Sequence, residues 1–169
     1  MTYLMDFLNN KIILVPIAAW FIAQVFKILI HALVEKEIRI ERLFGDGGMP
    51  SGHSATVVSL VVMCGWGMGF DSAVFAIATM MSIIVMHDAT GVRREAGKHA
   101  QIIKQMAEII NGMFAGENEE VRTAKLKEFI GHTHMQVIMG GILGGIVGIL
   151  TIIIFDLPYG FNIAATLLS

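Results

Sequence analysis

From Ser54 to Met86 the chain runs for over thirty residues with a single charged side chain, Asp71. A stretch that apolar is too long for one helical crossing of a hydrocarbon layer about 30 Å thick, and it suits two short ones. Gly65, Gly67 and Gly69, followed by Asp71, mark a turn between them. The expected unit is a hairpin, with Ser54 to about Gly69 crossing one way and Ser72 to Met86 returning. The same glycines could instead form a helix-packing face, the commoner use of such spacing in membranes. Ile12 to Leu33 adds a further span, about 33 Å long at helical rise, and Met135 to Phe155 another. Composition agrees: 55% of the residues are hydrophobic, 15% are charged, and the mean hydropathy is +0.70. A soluble domain of 169 residues does not look like this. The lone cysteine, Cys64, excludes a disulfide framework, and no cleavable leader is expected.

The two polar connectors between these spans are expected to share one side of the membrane. The connector over 35–52 and the segment over 88–131 hold ten of the twelve lysines and arginines, which makes their side cytoplasmic and leaves both termini outside. Within 98–114, apolar residues recur at 102, 103, 106, 109, 110 and 113, with Lys104, Gln105 and Glu108 opposite. That pattern predicts an amphipathic helix lying along the surface. A second short helix follows over about 118–130, with Glu117, Glu119 and Glu120 ahead of Arg122, Lys125 and Lys127. The expected architecture is therefore all-α: one domain over 1–169, a polytopic membrane helix bundle of about four transmembrane spans with a cytoplasmic-face amphipathic helix pair.

Polar residues in or beside the spans carry the functional reading. Gln24, Lys27 and His31 lie along one face of the first span, where an ionisable group is expensive unless it faces protein or a wet pocket. Lys27 near a span end could also reach the surface by snorkelling. Gly47-Gly48-Met49-Pro50-Ser51-Gly52-His53-Ser54-Ala55 then breaks regular structure just before the apolar run. Gly52 permits close backbone approach, Ser51 and Ser54 suit a helix N-cap, and the N–H groups of the helix that follows suit an oxyanion. His53 in that first turn could exchange a proton with the bound group. A plain capped turn would use the same residues. After the hairpin come His87, Asp88, Arg93 and Arg94; paired arginines beside a carboxylate fit bidentate phosphate recognition, and also fit a basic flank of a span. His132 and Gln136 share a helical face at the entry to the last span.

Pro50-Ser51-Gly52-His53 resembles the central signature of the type 2 phosphatidic acid phosphatases, a superfamily shared with vanadium haloperoxidases. Together with Asp88-Ala-Thr-Gly-Val-Arg-Arg and Gly131-His-Thr…Gln136-Val…Gly140, it is similar to the divergent branch of that superfamily, from about Lys27 to Gly144. The resemblance implies that His132 attacks phosphorus, that His53 protonates the leaving oxygen, and that Ser51, Gly52 and Lys27 hold the phosphate. Three positions depart from the superfamily pattern: Leu126 stands where the third motif has arginine, no Arg-Pro follows Lys27, and Gln136 replaces the aspartate that orients the nucleophile. Arg93 and Arg94 are expected to replace the missing arginines, and Asp88 the missing carboxylate.

The expected function is hydrolysis of a lipid or isoprenoid phosphate through a phosphohistidine intermediate, without metal or other cofactor, by an integral protein of the plasma membrane whose site faces the cytoplasm. Its partners are the substrate and the membrane, with no nucleic acid. The glycine-rich last span could also pack against a second copy, giving a homodimer. Two other functions use the same residues: a phosphate-lipid binding or transport protein without turnover, and a metal-assisted phosphatase with His53, Asp88 and His132 as ligands.

Overall fold

Ser51 closes an extended loop and opens a helix. Its φ of −69° and ψ of 118° are those of an N-cap, and its hydroxyl oxygen accepts the N–H of Ser54 at 3.3 Å. The helix it starts lies at the centre of the protein, touching three others. In this computed structural model, which describes residues 2–35, 48–113 and 133–161, the elements in chain order are α1 (Thr2–Asn9), α2 (Lys11–Glu35), α3 (Gly52–Met68), α4 (Ala73–Thr90), α5 (Val92–Met113) and α6 (His134–Ile154). All are α-helical.

Small residues set the helix order. Ala19 and Ala23 of α2 meet Ala55 of α3 with no solvent exposure. Gly52 lies against Trp20 and Gln24, and Gly67 near Ile12, so α2 and α3 run antiparallel. On the other side of α3, a methyl at Gly140 would overlap the backbone of Ser51, one at Gly144 the carbonyl of Ala55, and one at Gly148 would stand 2.9 Å from Val62. Later glycines on α6 meet later residues of α3, Ser51, then Ala55, then Val62, so the two helices run parallel at very close range. Gly140, Gly144 and Gly148 of the last span are thus packed on α3 of the same chain.

Gly65 and Gly67 lie within α3 and pack against aromatic side chains, with Phe70 and Phe75 over the first and Phe161 over the second. Only Gly69, at φ 93°, makes the turn. Ser72 then caps α4 by accepting the N–H of Phe75 at 3.2 Å. At this end the chain after α6 folds back: Trp66 Nε1 donates to the Leu157 carbonyl at 2.8 Å, and the Gly160 N–H to the Trp66 carbonyl at 2.8 Å. Leu157 thus sits over the end of α3, in a cluster with Val15 and Met63.

Among the described residues, three helical stretches are long and apolar enough to cross a membrane: Lys11–Leu33, Ala73–Ile110 and His134–Ile154. The fourth expected span, α3, is apolar but 17 residues long, about 26 Å at helical rise. Enclosed by α2, α4 and α6, it needs little contact with lipid. Helix α4 runs to Thr90, past the expected end at Met86, so His87 and Asp88 stand on its last turn. Helix α5 starts at Val92, earlier than the expected amphipathic helix, and follows α4 after the single residue Gly91. Its apolar residues Ile102, Ile103, Met106 and Ile109 are exposed. The second expected surface helix, over 118–130, lies outside the described residues.

Candidate functional site

The loop before α3 is wedged between two helices. On one side stands the polar stripe of α2. The stem of Lys27 packs on Gly48, whose added methyl would lie 3.0 Å from Cγ, and φ at Gly48 is 102°. One turn earlier, the Gln24 amide nitrogen faces Gly52, 3.6 Å from where a methyl would stand. Both side chains are buried, Lys27 at 5% exposure and Gln24 at 6%. Burying a cation so deeply demands compensating polar surroundings, and snorkelling to the surface does not describe a lysine enclosed in this way.

On the other side stands the first turn of α6. The Ser51 N–H donates to the Gln136 carbonyl at 3.0 Å, joining the second motif to the third by a backbone hydrogen bond. Ser51 and Ser54 are fully buried, and the Ser54 hydroxyl donates to Ser51 Oγ at 3.1 Å. Ser51 Oγ is thus held between the N–H and the hydroxyl of Ser54 at the start of the helix. The peptide bond between Met49 and Pro50 is cis. His53 follows in the first turn of α3 and is half-buried.

Gln136 has a role in the structure that its pairing with His132 in sequence does not reveal. Its side-chain oxygen accepts the Thr133 N–H at 3.0 Å, while its own N–H donates to Thr133 Oγ1 at 3.3 Å. This reciprocal arrangement is a capping box. Thr133-x-x-Gln136 carried that signal in the sequence. His132, the expected nucleophile, lies outside the described residues, as do the side chains of Arg93 and Arg94; the backbone of those two arginines is in the first turn of α5. Asp88 is half-buried on the last turn of α4.

Of the expected site residues, the structure thus brings Lys27, Ser51, Gly52, His53 and Gln136 to one end of the bundle, which we call the loop end. It adds Gln24, whose Oε1 is buried and meets no hydrogen-bond donor among the described residues. An orphaned buried amide oxygen costs about 1–3 kcal/mol, and it stands beside a loop that suits an anion. The sequence signal was its place in the Gln24, Lys27, His31 stripe. Among the described residues no three histidine, cysteine, aspartate or glutamate side chains gather as a metal site; the expected trio of ligands includes His132 and so falls outside that statement.

The motifs joined by this geometry fall within one family. The profile of the divergent PAP2 family, a distant relative of the PAP2 and vanadium haloperoxidase superfamily, matches residues 8–147. The uncharacterized membrane protein YuiD of Bacillus subtilis (strain 168) is 36% identical over 146 residues, covering 83% of this chain and 92% of that protein. No solved structure matches the chain significantly. The matched region contains α2, the loop, the α3–α4 hairpin and the glycine face of α6 as far as Val147, all the elements that hold the loop end together. This chain belongs to the divergent PAP2 family.

Proposed function

We propose that the protein hydrolyses a lipid or isoprenoid phosphate at the loop end of the bundle. The observation that carries this reading is the Ser51–Ser54 loop, which opens a helix N-terminus between a buried lysine and the start of α6. A phosphate dianion at that point meets the N–H groups of α3, the Ser51 hydroxyl and the charge of Lys27. Such chemistry is mostly positioning and charge stabilisation, for which about two cations are enough. Arg93 and Arg94 supply further positive charge in this reading.

The route has two balanced steps. An imidazole nitrogen of His132 attacks phosphorus, forming an N–P bond as the bond to the leaving oxygen breaks. His53 gives that oxygen its proton and so releases an alcohol. Water then attacks phosphorus, His53 takes its proton, and phosphate leaves His132. Asp88 supplies the carboxylate that the third motif lacks. Gln136 fixes the start of the helix that follows His132 and offers its amide to the imidazole. The site faces the cytoplasm, where the basic segments lie, in a bundle of four spans with surface helices beneath. The lipid's tails stay in the bilayer.

A second reading has one observation behind it. The Gln136 side-chain oxygen is engaged in its own helix cap, as it would be in a protein that binds a phosphate lipid without turning it over. Purified protein tested for phosphate release across phosphatidate, phosphatidylglycerophosphate and polyprenyl phosphates separates the two. Release should survive a chelator, and an acid-labile phosphoprotein should form. His132→Ala should abolish both, and His53→Ala should slow release by about 10²–10⁴-fold. Saturable binding without release would replace the hydrolase with the binding protein, and loss of release in chelator would replace the histidine route with a metal-assisted one.

A further inference from the structure

A groove of about 470 Å³ between α3, α4 and α6 has no part in the phosphate chemistry above. Its walls are apolar: Val58 of α3, Met86 of α4, and Ile138 and Ile142 of α6. Gly141 forms its floor, where an added methyl would stand 3.5 Å from Val58, in ordinary contact. A longer side chain there would fill the groove. The rim is polar, with His87 and Thr90 from the last turn of α4 and His134 from the first turn of α6. Thr90 Oγ1 already donates to the Met86 carbonyl at 3.1 Å, so the two imidazoles are the donors on offer at the rim.

Position and chemistry select the occupant. The groove shares the start of α6 with the phosphate loop: Val137, on its wall, follows the residue whose carbonyl holds Ser51. From His134 to Ile142 it spans about 12 Å at helical rise, opening onto the apolar flank of the bundle. A peptide laid in it would bring backbone polar groups against walls that offer them no partner, whereas a hydrocarbon chain brings none. We infer that this groove binds a hydrocarbon chain of an anionic lipid, with the lipid's phosphate held at the rim by His87 and His134 on its way to or from the Ser51 loop. The last clause rests on the lipid-phosphate reading above; occupancy of the groove does not depend on turnover.

The test is photolabelling of the full chain in phosphatidylcholine nanodiscs with hexadecyl phosphate carrying a mid-chain diazirine, mapped by peptide mass spectrometry. Label should appear on Met86, Ile138 or Ile142. Excess hexadecyl phosphate should compete it at least tenfold, and excess hexadecanol less than twofold. Gly141→Leu should reduce labelling at least fivefold, as should Ile142→Trp on the exposed wall if the first variant folds poorly. Ile77→Trp, on an exposed part of α4 outside the groove, should leave labelling within twofold. His87→Ala with His134→Ala should remove the advantage of hexadecyl phosphate over hexadecanol. Labelling that competitor or Gly141→Leu leaves unchanged overturns the site, equal competition by hexadecanol overturns the rim, and a covalent adduct between two chains assigns the groove to a second copy. Labelling by a protein that releases no phosphate keeps the groove and rejects the hydrolase, and the reverse result does the opposite.

Discussion

Gln24 is a poor residue to bury and a useful one to bury here. Its Oε1 meets no donor among the described residues, yet the side chain is held at 6% exposure against Gly52. A side-chain amide can turn end for end, offering a ligand either the oxygen or the nitrogen. The oxygen could accept a hydrogen bond from the P–OH of a phosphate monoanion, and the nitrogen could donate to a phosphate oxygen. Replacing an orphaned buried amide with an apolar side chain of similar size is close to neutral for folding. Gln24→Met should therefore leave stability in detergent within about 1 kcal/mol while weakening inorganic phosphate binding several-fold, measured by chemical denaturation and by titration on one preparation. A loss of stability above about 3 kcal/mol, with phosphate binding intact, would make Gln24 a structural residue. At this scale the sequence shows which side chains are chemically suited to the site, and His53 and Ser51 stand out through their motif. It does not show which of them are already engaged. Gln136 could be aligned with a missing aspartate, but its hydrogen bonds to Thr133 depend on where α6 begins.

Helix α6 shows how glycine spacing becomes geometry. Gly140, Gly144 and Gly148 are buried against α3, while Gly141 and Gly145 have room for a methyl group. Contact that close lets the Ser51 N–H reach the Gln136 carbonyl, so helix packing and the shape of the loop are one property. Gly144→Ala should destabilise the protein by about 1–3 kcal/mol, the usual cost of overpacking, because its methyl overlaps the Ala55 carbonyl and backbone cannot step aside. Gly145→Ala, whose methyl would stand 3.9 Å from Val58, should be neutral or slightly stabilising through better helix propensity. Thermal unfolding of the two variants in one detergent decides this, and equal destabilisation would contradict the close α3–α6 contact. The small-residue face was readable in the sequence because its period matches a helix. Its partner was not, since a glycine face fits a neighbour in the same chain or in a second copy equally well. Likewise Gly65, Gly67 and Gly69 looked equivalent in a row, and only the onset of the Gly69 turn separates a packing glycine from a hinge.

Taken whole, the protein has the interior of a membrane bundle. Its buried positions include Ala19, Ala23, Ala55, Ser51, Ser54 and Ser59, while Ile77, Ile84, Ile142 and Ile153 are exposed. A soluble fold has the reverse distribution; small residues inside and large apolar ones outside suit helices whose surroundings are as oily as their side chains. The long apolar helices and this reversed core together support an integral membrane location. Chain direction then divides the molecule into two ends. The loop, the last turn of α4 and the first turns of α5 and α6 share one, while Asp71 and the Trp66–Leu157 contact share the other. Charge bias predicts that the loop end is cytoplasmic, because ten of the twelve lysines and arginines belong to the two segments that flank it in sequence. With Cys64 replaced by alanine, single cysteines at Asp71 and Glu95, both exposed, report this directly in right-side-out membrane vesicles. An impermeant maleimide should label Asp71→Cys in sealed vesicles and Glu95→Cys only after permeabilisation. The opposite pattern would turn the phosphate loop to the outside. Labelling of both from one side would mean that α4 does not cross, and would remove the two-ended arrangement on which a cytoplasmic phosphate site depends.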